Sequence, residues 1–343
     1  MPESRVTLTY IAGSHAMKLP HRRQFLHLAA GAAALPVASS IARAQTYPSR
    51  PITIVVGAAV GGSNDTIGRV MAERMKSSLG QQVIIENVTG GGGTIAYGRV
   101  AHAAPDGYTL VLGNPISAAI IYALRYDLLN DFEPIALLST YPFVLVARKT
   151  MPANDLNGLI AWLRANPDKA SGAGGVQGGT GHIATLFFQK QTGTRFQYVP
   201  YRGATPAIQD LVAGQIDLGF PDPTAALPQV RAGTIKAYGI TTKARMLSAP
   251  DLPTLHESGL PGFDVAAWHG LWAPKGTPKN IIAKLNAAAI DALAVPTVRA
   301  RLADLGQEIF PPDQQTPAAL GAFQKAEIEK WWPIIKAAGI RPE

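Results

Sequence analysis

There is no cysteine anywhere in the 343 residues. Disulfides, thiolate nucleophiles and cysteine-ligated zinc are thereby excluded, and the fold must rest on a well-filled core. Charge is scarce, at 16% of residues, and aromatics make up 7%. No run of Lys or Arg is interleaved with aromatics, so there is no nucleic-acid footprint. Signatures of nucleotide chemistry are missing as well. Gly57 to Ser63 has the glycine spacing of a P-loop, but Gly62 is followed by Ser63 without the lysine that phosphate transfer needs. No G-x-G-x-x-G has an acidic partner in the right place, and no G-x-S-x-G elbow occurs. The four histidines beyond residue 44 (His102, His182, His256 and His269) show no metal-ligand spacing and read as surface or core side chains. Neither a metal nor a cofactor is expected.

What is present begins with an export signal. His21-Arg22-Arg23-Gln24-Phe25-Leu26 is basic, Leu28 to Val37 is small and apolar, and Ala42-Arg43-Ala44 is an A-x-A cleavage site before Gln45. The paired arginines resemble a twin-arginine motif, with His21 where Ser or Thr is usual, and Met17 is a plausible start. Later apolar runs stay short of the ~18–20 residues that span a bilayer. The mature protein is expected to be soluble and outside the cytoplasm. Removing residues 1–44 takes away five basic and one acidic residue. That leaves 26 basic against 22 acidic, so the net charge falls from +8 to +4. A mild positive balance suits an anionic ligand.

The stretch from Ile52 to Leu79 organises the rest. Apolar Ile52, Ile54, Val55 and Val56 break at Gly57, a small-residue loop runs through Ala58 and Ala59 to Gly62, and Ile67, Val70, Met71, Met75 and Leu79 then recur at helical spacing. Ser63 to Asp65 lie at the cap and first turn, and Gly80 lies at the C-terminal cap. A helix start behind a glycine turn offers unpaired N–H groups and a positive dipole end to an anion. The unit recurs at Gly174–His182 and at Gly203–Thr205, where Thr205 reads as N-cap and Pro206 as the first helical residue. Strands alternating with helices argue an α/β fold with a largely parallel sheet. Such sheets bind ligands beyond the carboxyl ends of their strands. Inward positions are expected at Ile95 and Val100, at Ile183, Leu186 and Phe187, and at Ile208, Leu211 and Val212. A turn at Asn114–Ser117 and a helix at Ala118–Leu124 complete the first half.

Individual side chains carry two readings. Ser63 and Thr180 read as caps whose hydroxyls also donate to a ligand oxygen. Asp65 complements the dipole and staples its loop rather than touching an anion. Asp222 reads first as a turn residue, or else as a cleft carboxylate for a cationic or protonated ligand group. His182 is set apart from the other histidines because it opens a helix at the candidate site.

Short motifs follow in order along the chain: Tyr47-Pro48-Ser49-Arg50-Pro51-Ile52, Gly61-Gly62-Ser63-Asn64-Asp65, Ala104-Pro105-Asp106-Gly107-Tyr108-Thr109-Leu110, Tyr126 to Ile135, Gly181-His182-Ile183-Ala184, Val199-Pro200-Tyr201-Arg202-Gly203, Leu252-Pro253-Thr254-Leu255, Pro261-Gly262-Phe263 and Ala273 to Pro278. This ordered set resembles the Bug family, the periplasmic binding proteins of tripartite tricarboxylate transporters. The resemblance implies a two-domain venus-flytrap fold of type II kind, mostly parallel sheets and a hinge. Residues 45–145 plus 265–343 would form the first domain and 146–264 the second. It implies no catalysis, a small carboxylate ligand held partly through water, delivery to membrane permease subunits, a monomer, and a periplasmic location. The site would comprise Ala58, Ala59, Gly62, Ser63, Asp65 and Asn114 from one domain, with Thr180, Gly181, His182, Gly203, Ala204, Thr205 and Asp222 from the other. Where the family commonly has Pro-Phe this chain has Gly57-Ala58, and the second loop is richer in glycine. Losing the aromatic leaves more space, and the two departures together imply a larger or differently shaped ligand within the class of di- and tricarboxylates and aromatic acids, an aromatic or longer dicarboxylate. A ligand sensor for a signalling receptor shares every one of these features. An exported enzyme would need a nucleophile and base within hydrogen-bond reach, which the sequence does not place.

Overall fold

The strand over Ile52–Val56 (β1) turns at its end into the helix Ser63–Leu79 (α1), as the periodicity requires. Ile67, Met71, Met75 and Leu79 are buried on one face of α1 against Ile54 and Val56. Burying four such side chains is worth about 6–12 kcal/mol before ordering costs. Gly80 ends the helix in the left-handed conformation, φ 67°, and its N–H bonds to the Lys76 carbonyl at 2.9 Å.

The computed structural model describes residues 47–114 and 126–337. The export signal, the mature start and the expected helix at 118–124 lie outside the described residues, as does the turn after Asn114. After α1 come β2 (Val83–Asn87), α2 (Thr94–Ala101), β3 (Thr109–Gly113), β4 (Phe132–Pro142) and β5 (Val144–Arg148). The middle of the chain gives α3 (Leu156–Ala165), β6 (Ser171–Ala173), α4 (Thr180–Thr192), β7 (Gln197–Tyr198), α5 (Ala204–Val212), β8 (Leu218–Gly219), α6 (Pro223–Arg231) and β9 (Ile235–Ile240). Then follow β10 (Ala266–Pro274), α7 (Lys279–Ala294), α8 (Pro296–Asp304), β11 (Glu308–Ile309) and α9 (Pro317–Ala337).

Two sheets result, ordered β11-β4-β10-β3-β1-β2 and β7-β6-β8-β5-β9. Both are mixed. β1 runs parallel to β2 and β3, and β6 parallel to β7 and β8, whereas β10 joins β3 and β4 antiparallel and β5 joins β8 and β9 antiparallel. The parallel share is smaller than strand–helix alternation suggests, because β10 returns from the far end of the sequence to the middle of the first sheet. The chain passes between the sheets at Phe143 and again between β9 and β10. Thr241, fully buried, ties the two passages: its hydroxyl accepts from the Phe143 amide at 2.8 Å and donates to the Val265 carbonyl at 2.6 Å.

Several inward assignments shift. Ile95 is exposed, whereas Val100 is buried as expected and α2 turns Ala96 and Tyr97 inward beside it. On α4, Phe188 rather than Phe187 is fully buried, and on α5 Val212 is exposed. Each miss sits one position from a buried residue. The helix Pro223–Arg231 was missed altogether.

Candidate functional site

Four helix starts converge on one cavity of about 80 Å³. α1 contributes Gly62, Ser63 and Asn64, preceded by Ala58 and Ala59. α4 contributes Gly179, Thr180 and Gly181, and the turn before it adds Gly174, Gly175 and Val176. α5 contributes Gly203 and Ala204, and α6 its N-cap Asp222. Asn114 from the end of β3, with Tyr141 and Phe143 from the end of β4, close the wall. No Lys or Arg is among these lining residues, so the positive potential comes from helix dipoles and amides.

Ten of the thirteen sequence-selected residues therefore line the cavity: Ala58, Ala59, Gly62, Ser63, Asn114, Thr180, Gly181, Gly203, Ala204 and Asp222. Asp65, His182 and Thr205 stand behind it. Asp65 accepts from the Gly61 amide at 2.9 Å and from Asn87 Nδ2 at 3.0 Å, and pairs with Arg69 at 2.8 Å. Burial pushes its carboxyl up, but those donors outweigh it and hold the pKa below the usual range. His182 accepts from the Gly178 amide at Nδ1, 3.0 Å, and stacks on Tyr198 with ring centres 3.8 Å apart. Burial lowers its pKa to about 4, which keeps it neutral. Both residues brace loops.

The caps differ from expectation. Gly62, Gly179 and Gly203 are the N-caps, without side-chain cap bonds, so Ser63, Thr180 and Ala204 are first helical residues and Thr205 is second. Freed from capping, Thr180 Oγ1 accepts from Asn114 Nδ2 at 3.1 Å, which leaves its proton for another acceptor. Asp222 does cap: its Oδ1 accepts from the Ala225 amide at 3.1 Å. Complete burial still raises its pKa to about 6. The glycines are steric requirements here. A Cβ on Gly181 would lie 2.1 Å from the Gly174 carbonyl oxygen, and one on Gly174 would lie 2.4 Å from the Gly181 carbonyl.

Gly57 does not open this cavity. A Cβ there would point at Gly93 Cα, 3.1 Å away, and Gly57 lines a separate space of about 320 Å³ with Gly90–Gly92, Gln177 and Arg202. Ala58 does face the cavity, with Tyr141 and Phe143 also in its lining. The lips touch: the Ala59 amide donates to the Arg202 carbonyl at 3.4 Å.

Sequence reasoning missed a buried ring behind Ser63. Gln307 Nε2 donates to Ser63 Oγ at 2.8 Å, Ser63 Oγ lies 3.3 Å from His269 Nε2, His269 Nδ1 lies 3.1 Å from Ser139 Oγ, and Ser139 Oγ donates to Gln307 Oε1 at 3.0 Å. His269 is fully buried, stacked on Tyr141, and its pKa is lowered to about 3 by burial. A serine beside an imidazole invites a nucleophile–base reading. The imidazole is too weak a base for it at neutral pH, and its far nitrogen meets a hydroxyl, not an orienting carboxylate.

Comparison with known proteins agrees with this architecture. The family model described as "Tripartite tricarboxylate transporter family receptor", TctC, matches residues 67–340. A relative from Agrobacterium vitis, a protein encoded in the TAR-I ttuE-ttuC' intergenic region, is 40% identical over 303 residues, covering 87% of this chain and 88% of the relative. The solved periplasmic binding protein BugD is 37% identical with a TM-score of 0.82, over 86% of this chain and 99% of that one. MatC from Rhodopseudomonas palustris, solved with bound malate, is 41% identical with a TM-score of 0.81, over 84% of this chain and all of its own. The chain belongs to the tripartite tricarboxylate transporter receptor family, the TctC or Bug family of solute-binding proteins.

Proposed function

We propose that this protein is a periplasmic binding protein that closes as a monomer around a small carboxylate and delivers it to the permease of a tripartite tricarboxylate-type transporter. The observation that carries the reading is the convergence of the α1, α4 and α5 starts, with the Thr180 hydroxyl, on one cavity walled by both sheets. Amide donors and a hydroxyl hold an anion without a formal cation, so release stays easy. In this reading Ser63, Asn114, Thr180, Gly181, Gly203 and Ala204 touch the ligand or its waters, Ala58 and Ala59 shape the lip, and Asp65, His182 and Thr205 brace the loops. Residues 45–145 with 265–343 form one lobe, 146–264 the other, and the passages tied by Thr241 form the hinge. Malate in a relative of this similarity supports a dicarboxylate.

A thermal-shift screen of mono-, di- and tricarboxylates and aromatic acids tests this. At a hundredfold excess over Kd a ligand adds about 2.7 kcal/mol. For a chain of this size, that corresponds to an upward shift in Tm of about 4 °C. Shifts within noise across the whole panel would sink the carboxylate reading.

A further inference from the structure

A second cleft, of about 350 Å³, lies between α1 and α8 and shares no lining residue with the cavity at the helix starts. Its volume is that of a small-molecule site, about 300–1,000 Å³. The exposed face of α1 supplies Arg69, Val70, Glu73 and Arg74, and the first turns of α8 supply Thr297, Val298 and Arg301. Sequence spacing explains the grouping. Arg69 with Glu73, Val70 with Arg74, and Thr297 with Arg301 are each one helical turn apart and so share a face. Arg74 Nη2 donates to Thr297 Oγ1 at 3.3 Å, which joins the two helices across the cleft.

Three guanidinium groups meet one carboxylate in this lining. Arg69 already has its counter-charge: Nε and Nη2 engage Asp65 and Asn87, which leaves Nη1 for the cleft. Arg74 and Arg301 form no ion pair with a described residue, Glu73 included. Like charges gathered without a counter-charge repel one another, and an anion between them relieves that repulsion. Thr297 adds a hydroxyl. It is also the second residue of a helix whose N-cap, Val295, makes no side-chain bond, so its first-turn amide is a further donor. Guanidinium forks match phosphate oxygens in pairs. Val70 and the buried Val298 line the same cleft and suit an organic stem.

We propose that the cleft between α1 and α8 is a second ligand site, which takes a phosphate ester carrying a short organic group. Arg74 and Arg301 hold the phosphoryl oxygens, Thr297 donates to one of them, and Val70 with Val298 meets the organic part. A phosphoryl group presents more oxygens than a carboxylate, so it engages guanidinium groups from both helices at once. Glu73 opposes binding and limits the affinity. The site stands apart from the carboxylate reading above, because no residue serves both spaces. A soluble phosphate ester and a phospholipid headgroup share this chemistry.

Titration calorimetry with glycerophosphate tests the site, at an ionic strength fixed with sodium chloride because exposed charge contacts are screened. The wild type is expected to give saturable heat. Arg74→Ala and Arg301→Ala, at exposed positions and each shown folded by circular dichroism, are expected to weaken binding at least tenfold. Glu73→Gln removes the opposing charge and is expected to tighten binding at least twofold, a gain that misfolding does not produce. Co-sedimentation with phosphatidylglycerol vesicles, against phosphatidylcholine vesicles, tells the sources apart. Retention on the anionic vesicles that is lost in Arg301→Ala assigns a lipid headgroup; heat from glycerophosphate without such retention assigns a soluble ester. Absence of both heat and retention overturns the inference. So does binding unchanged in both arginine variants, or no gain in Glu73→Gln. None of these results bears on the carboxylate screen, whose failure in the wild type would leave this site standing.

Discussion

Ser63 does two jobs. Its hydroxyl joins the ring, and its position at the start of α1 puts it on the cavity wall. Removing the hydroxyl strands a buried imidazole nitrogen and a buried amide group, each costing about 1–3 kcal/mol. Ser63→Ala is thus expected to lower the unfolding free energy by about 2–6 kcal/mol, read from urea melts. Ser139 stands at the opposite corner, so Ser139→Ala breaks the same ring at a similar cost. The double variant should then cost less than the sum of the singles, by about 1 kcal/mol or more, because the second cut falls on a ring already open. Strict additivity would show that the four bonds act independently.

At the level of elements, the helix starts were the legible part and their caps were not. Glycine punctuates β1–α1, β6–α4 and β7–α5, so ten of thirteen chosen residues fall on the cavity wall. The helix at Pro223–Arg231 hid behind Pro221-Asp222-Pro223, read as a turn. An Asp followed by Pro is equally an N-cap and first helical residue, and that signal was available. The ring was not available. Its members are 130 to 244 residues apart along its bonds and come from α1, β4, β10 and the segment before β11, so only the antiparallel insertion of β10 brings His269 to Ser63. Glycine also fixes how the loop before α4 packs, and two substitutions separate its two uses. In Gly181→Ala the new methyl meets backbone at 2.1 Å, so a loss above about 3 kcal/mol is expected, with ligand response abolished. In Gly193→Ala, at φ +65° with open space around, only the left-handed penalty of about 1–2 kcal/mol applies. Equal losses in thermal melts of the pair would refute the steric account.

For the whole molecule, the same buried groups set how stability follows pH. His182 and His269 titrate at about 4 and about 3 in the fold against 6.5 unfolded. Between pH 4 and 6 the unfolded chain therefore binds more protons at both, and stability rises with pH. Asp222 works the other way. Its folded pKa of about 6 exceeds the unfolded 3.8, so the fold holds the extra proton, and stability falls as pH rises through that window. The Ala225 amide donates to Asp222, and no Lys or Arg shares the cavity lining with it. Each proton is worth about 1.4 kcal/mol per pH unit, so Asp222 cancels about one of the two histidines. Asp222→Asn removes that cancellation. Urea melts at pH 4.5 and 5.5 should show the variant gaining about 1.4 kcal/mol more than wild type over the interval, whatever the surface carboxylates add to both. Equal gains would mean that Asp222 is already ionised at pH 4.5, and its side of the cavity would then carry a full charge from that pH upward.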